Sequence, residues 1–104
     1  MKNEFCVLFC TTRMEESEKI ARILVEERLA ACVNVADVHS YFRWRDEFCT
    51  DREALLIIKT EKGKIPRIIE RIKAVHSYEL PEIIALPIVA GYEQYLAWLE
   101  AALE

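Results

Sequence analysis

The chain has 104 residues, 14 Lys+Arg against 18 Asp+Glu, a net charge of −4 and only two glycines. That length suits a single domain over residues 1–104, and the acidic balance argues against nucleic acid or an anionic membrane surface as partner. Gly63 and Gly91 stand 28 positions apart, so no glycine-rich nucleotide or phosphate loop can be written with them.

Residues 4–11 (EFCVLFCT) form a short, almost unbroken apolar run with aromatics and read as a buried strand. Over residues 15–29 the period becomes helical: Ile20, Ala21, Leu24, Val25 and Leu29 share one side, and Glu15, Lys19, Arg22 and Glu26 the other. Residues 32–38 and 41–44 follow as one long strand with a bend near Asp37, and residues 54–58 (ALLII) return as its hairpin partner. Between them, Arg45-Asp46-Glu47 and Thr50-Asp51-Arg52 supply the turn region. Gly63 breaks the chain, and Pro66 suits the first turn of a second helix carrying Ile65, Ile68, Ile69 and Ile72 on one face. After a loop over residues 76–81, residues 83–89 make a fourth strand. Pro87 cannot donate to a ladder there, so this strand belongs at an edge. Residues 92–103 close the chain as a helix with Tyr95, Leu96, Leu99 and Leu103 spaced for packing, and Trp98 beside them.

The order β-α-β-β-α-β plus a C-terminal helix is the α+β, ferredoxin-like pattern: an antiparallel sheet with two helices on one face. Apolar residues of both parities in the first and third strands imply that the other face is covered as well. With no further sheet in the chain, another subunit is the expected cover. No apolar run approaches the roughly 20 residues of a membrane span, and Met1-Lys2-Asn3-Glu4 does not open a signal peptide, so the expected compartment is cytoplasmic.

Four cysteines without a C-x-x-C pair do not make a disulfide scaffold or a closed zinc site. Cys6 and Cys32 read as small core hydrophobes and Cys49 as a thiol in a turn. Cys10 ends a strand, where side chains converge on clefts. His39 reads as a structural histidine. His76 opens a loop holding Tyr78, Glu79 and Glu82. A strand-end thiol, an imidazole and carboxylates would suit a borderline ion such as copper, although a lone loop histidine is in most proteins structural. Trp44, flanked by Arg43 and Arg45 at a hairpin end, is placed to line a pocket or a subunit contact. No nucleophile motif is present, and a catalytic role is not expected.

Several stretches are shared with one family: Leu29-Ala30-Ala31-Cys32-Val33-Asn34, the aromatic run Ser40 through Trp44, and EALLIIKT ending at Lys59-Thr60. His76-Ser77-Tyr78-Glu79-Leu80-Pro81-Glu82-Ile83 and Gly91 with Tyr95-Leu96 and Trp98 complete the set. In this order they resemble the CutA (CutA1) divalent-cation tolerance family over nearly the whole chain. The resemblance implies a cytosolic homotrimer similar to the PII signalling proteins and a role in tolerance of divalent metals. It further implies binding of Cu2+ or another divalent cation with no organic cofactor. Carried over by motif, Cys10 and His76 are the metal ligands, with Tyr78, Glu79 and Glu82 as cleft neighbours. The chain departs from the family at Phe42, usually Tyr, at Asp46, usually Gly, and at Ser77, usually Pro. A second reading is a PII-like signalling or scaffold trimer whose inter-subunit cleft, with Trp44, Lys59 and Tyr78, takes a small anionic ligand or a partner protein.

Overall fold

Alternation along the strands decides the architecture. The computed structural model describes residues 4–104. Strand β1 (Phe5–Thr12), β2 (Cys32–Trp44), β3 (Glu47–Glu61) and β4 (Ile84–Pro87) form one antiparallel sheet in the order β2-β3-β1-β4. Cys6, Leu8 and Cys10 of β1 stand beside Thr60, Ile58 and Leu56 of β3 on one face. Onto that face α1 (Ser17–Glu26) lays Ile20 and Leu24, and α2 (Ile65–Val75) lays Ile68 and Ile72. These side chains are at most 4% exposed, and they are the core that the two helical stripes and the strand parity require. The buried Thr60 hydroxyl donates to the Leu29 carbonyl at 2.6 Å, so the polar atom is satisfied.

The opposite face is covered only in part. Helix α3 (Glu93–Ala102) packs Leu99, with Leu103 just beyond it, onto Phe5 at one end of the sheet. Tyr95 and Trp98, expected to pack, are instead 42% and 49% exposed, their rings 5.4 Å apart. A helix resting on a sheet by one stripe has room for Leu96, Leu99 and Leu103, and the aromatic pair is turned outward. Ile84 and Leu86 of β4, at 52% and 43%, also face solvent. Strand β4 is the edge that Pro87 calls for, shortened to four residues. No helix among the described residues is long and apolar enough to cross a membrane.

The hairpin is longer and straighter in its pairing than its sequence reading has it. Thr50, Asp51 and Arg52 are not a turn: β3 runs unbroken from Glu47, and β2 pairs through Asp37 without interruption. The connection is Arg45 and Asp46 alone, both at positive φ, 51° and 66°. This is the geometry of a two-residue primed turn, whose backbone twist matches that of its strands. Likewise α1 ends before Leu29, because Arg28 adopts φ 60° and the Leu29 and Ala30 amides fold back onto the Leu24 carbonyl. Neither left-handed site is a glycine, so local propensity could not mark them. Since Asp46 holds a left-handed conformation that glycine adopts freely, Asp46→Gly should raise stability by up to about 1 kcal/mol in urea unfolding. A loss of stability would show that the Asp46 side chain contributes more than its backbone costs.

Candidate functional site

Strand β1 ends opposite Ala54, yet β2 and β3 continue pairing from Val38–Glu53 out to Trp44–Glu47. The result is a two-stranded arm about 20 Å long standing beyond the four-stranded sheet. By parity, Phe42, Trp44, Asp51 and Glu53 lie on one side of it, the side away from α1 and α2. Against this side runs the loop that leaves α2. Tyr78, Glu79 and Leu80 of the loop and Phe42, Trp44, Asp51 and Glu53 of the arm enclose a cleft of about 370 Å³.

Two contacts tie the loop to the arm. The Tyr78 hydroxyl donates to Glu53 Oε2 at 2.7 Å, and Arg45 Nη2 reaches Glu79 Oε1 at 2.8 Å. Arg45 also lies over the Trp44 ring, 5.4 Å from its centroid. Glu53 is only 6% exposed, and its partner among the described residues is a phenol rather than a cation. Burial first, then the hydrogen bond and charge of Glu53, and then the charges of Asp51 and Glu16, push the Tyr78 phenol well above the ordinary tyrosine range. Tyr78 therefore stays protonated and remains the donor in its pair with Glu53.

His76 anchors the start of the loop. Its Nε2 is 2.8 Å from the Thr11 carbonyl oxygen, which can only accept, so the hydrogen sits on Nε2. Its Nδ1 accepts from the Tyr78 amide at 3.1 Å, and the two rings pack with centroids 4.6 Å apart. Both ring nitrogens are thus engaged in setting the position of Tyr78. Cys10 is fully buried, and its thiol approaches the same Thr11 oxygen at 3.8 Å. Burial, and after it the charges of Glu82 and Glu53, raise that thiol to about 12. Among the described residues, no group of three or more His, Cys, Asp or Glu side chains is arranged to hold a metal ion.

The residues singled out from sequence therefore fall into three places. Trp44, Tyr78 and Glu79 line the cleft. Cys10 and His76 converge on one carbonyl behind it, with Glu82 near enough to act on the thiol. Lys59 is elsewhere: it pairs with Asn34 and stands opposite Cys32, twelve positions along β2 from Trp44. That is about 40 Å of strand, so one chain cannot bring Lys59 and Trp44 into the same cleft. A turn over residues 50–52 hides Asp51, and Glu53 opens the EALLIIKT stretch without any local signal that marks it as a site residue. Extending the alternation of residues 54–58 backwards would have put both beside Phe42 and Trp44.

Comparison with known proteins covers almost the whole chain. The family model for CutA1 divalent ion tolerance protein matches residues 5–102. A divalent-cation tolerance protein CutA from Thermus thermophilus is 47% identical over 97 residues, 92% of this chain and 94% of that protein. The structure described as the periplasmic divalent cation tolerance protein CutA from Archaeoglobus fulgidus superposes with a TM-score of 0.93 at 36% identity, covering 96% of this chain and 99% of that one. The structure described as the PII-like protein CutA from Nostoc sp. PCC 7120, in apo form, gives 0.90 at 34% identity, covering 95% and 97%.

The buried Cys10 thiol and the half-buried Tyr78 phenol make alkaline pH costly for the fold. Their folded pKa values lie above the unfolded ones, so their contribution is complete below about pH 9 and is lost as pH rises toward 12. The melting temperature should fall between pH 9 and 11, and Cys10→Ala should flatten that fall. An unchanged slope in the variant would place the alkaline sensitivity elsewhere.

Proposed function

The chain belongs to the CutA1 divalent ion tolerance family, and we propose that it acts as a non-catalytic homotrimer that takes divalent cations, Cu2+ among them, as cargo at the arm–loop cleft. The observation that carries the cation half of this reading is Glu53. It is a carboxylate 6% exposed, in a cleft also lined by Asp51 and Glu79, and no lysine or arginine among the described residues pairs with it. A buried charge without a counter-charge is costly, and a cation in the cleft relieves that cost. The trimer half is supported by the arm. An isolated two-stranded ribbon is marginal in water, and this one exposes Tyr41 and Phe48 at 68% and 72%. Strand β2 also leaves its outer edge without a strand partner among the described residues. Four free cysteines suit a reducing compartment, so we place the protein in the cytoplasm.

The anionic-ligand reading fares less well on charge. It needs the Lys59 of another copy to reach a cleft whose Asp51 and Glu53 carboxylates repel anions.

One further placement of the ion has an observation in its favour: Cys10 and His76 share the Thr11 carbonyl, which sets sulfur and imidazole close together. That placement requires the thiol to lose a proton it holds up to about 12, and the imidazole to give up a hydrogen bond. Anaerobic Cu(II) titration separates the two. Binding at the cleft predicts that Glu53→Gln weakens affinity at least about fivefold, while Cys10→Ser leaves it within about twofold. An affinity rising about tenfold per pH unit and abolished by Cys10→Ser or His76→Ala would assign the ion to the thiol and imidazole instead. Light scattering should give about 37 kDa, three times the 12.2 kDa of one chain, and a single-chain mass would refute the trimer.

A further inference from the structure

The lining of the cleft is richer than a metal ion needs. Hydrated divalent cations are held by oxygen donors and gain little from aromatic walls. Here the carboxylates of Asp51, Glu53 and Glu79 share the cleft with the rings of Phe42, Trp44 and Tyr78 and the side chain of Leu80. The space, about 370 Å³, falls in the range of small-molecule sites.

Accepting that the cleft is cation-facing, we propose that it binds a small organic cation, a protonated amine or guanidine carrying an apolar group. The charged head would meet the Glu53 and Asp51 carboxylates, and the apolar body would lie between Phe42 and Trp44. The chain already performs this recognition at the cleft's rim. The Arg45 guanidinium sits over the Trp44 ring and pairs with Glu79 at 2.8 Å, using one aromatic face and one carboxylate together. Arg45 engages Glu79, however, and leaves Glu53 without a cation. Glu53 is the innermost acid by burial: Asp51 and Glu79 are exposed, whereas Glu53 is 6% exposed with one oxygen taken by Tyr78. The charges of Glu53, Asp51 and Glu16 all act on the Tyr78 phenol, while the basic Arg13 and Arg52 lie with Asp51 and Tyr78 along an adjoining hollow.

Phenethylammonium and its neutral isostere phenethyl alcohol test the assignment on the intact oligomer by calorimetric titration. The amine should bind at least about tenfold more tightly than the alcohol, since only it carries a charge for Glu53. Trp44→Ala and Glu53→Gln should each weaken the amine about tenfold. Gln retains an acceptor for the Tyr78 hydroxyl, and a thermal melt confirms that both variants fold. Equal binding of amine and alcohol, or an amine affinity indifferent to Trp44→Ala, would overturn the proposal. So would the absence of amine binding at millimolar concentration, the result expected if another copy of the chain fills the cleft. Any of these with Cu(II) still weakened by Glu53→Gln leaves the metal reading standing, so the two fail separately.

Discussion

The mismatch in strand length between β1 and its neighbours governs the rest of the molecule. β1 stops at Thr12 beside Ala54, and α1 and α2 can cover only the sheet that β1 completes. Beyond that line no other strand of the described chain pairs with β2 or β3. A sheet face needs a partner to be stable in water, so the arm obliges the chain to recruit one, either its own loop or another copy. The loop after α2 takes one side of the arm and leaves the other exposed, with Tyr41 and Phe48 among the most exposed large side chains. The cleft and the exposed apolar side of the arm thus arise from one geometric fact.

Inside the cleft the chain of dependence runs through hydrogen bonds. The Thr11 carbonyl orients His76, and His76 accepts the Tyr78 amide. The Tyr78 hydroxyl then holds Glu53. Each link uses a group that has one sensible role: a carbonyl accepts, and a phenol pushed above its ordinary range donates. His76 and Tyr78 are thereby committed to holding an acid in place. A carboxylate fixed in a half-closed, aromatic-walled cleft attracts cations more strongly than one free to turn into solvent, because water screens it less.

Much of the scaffold was legible from the sequence because it depends on period. The run at 4–11, the helical stripes of Ile20–Leu24 and Ile68–Ile72, and Pro87 at an edge each express one local rule, and the structure follows them. What escaped was set by context. The charged stretch Thr50-Asp51-Arg52 looks like a turn locally, yet it is held as strand by pairing with Tyr41, Ser40 and His39. A turn there hides Asp51 from the site, and Glu53 carries no local signal of its own, whereas Trp44, Tyr78 and Glu79 are legible. Arg28, Arg45 and Asp46 adopt left-handed backbone without the glycine that would announce it.

Cys10 and His76 illustrate how motif and geometry can divide. Their positions carry the family resemblance, and the fold does bring them to a single oxygen atom. What surrounds them, however, is the environment of structural groups: a thiol pushed up to about 12 by burial and an imidazole with both nitrogens engaged. Coordination by this pair would itself lower the thiol and free one imidazole nitrogen, so both present commitments would have to be exchanged for the ion. Conversely, Glu53 belongs to no metal motif, yet it is a buried acid in the wall of the cleft whose partner among the described residues is a phenol and not a base. A residue can therefore mark the family because it holds the loop, while the ligand is met by a neighbour that the loop positions. On this architecture the pair sharing the Thr11 carbonyl sets the shape of the cleft, and the carboxylate on the arm supplies its charge.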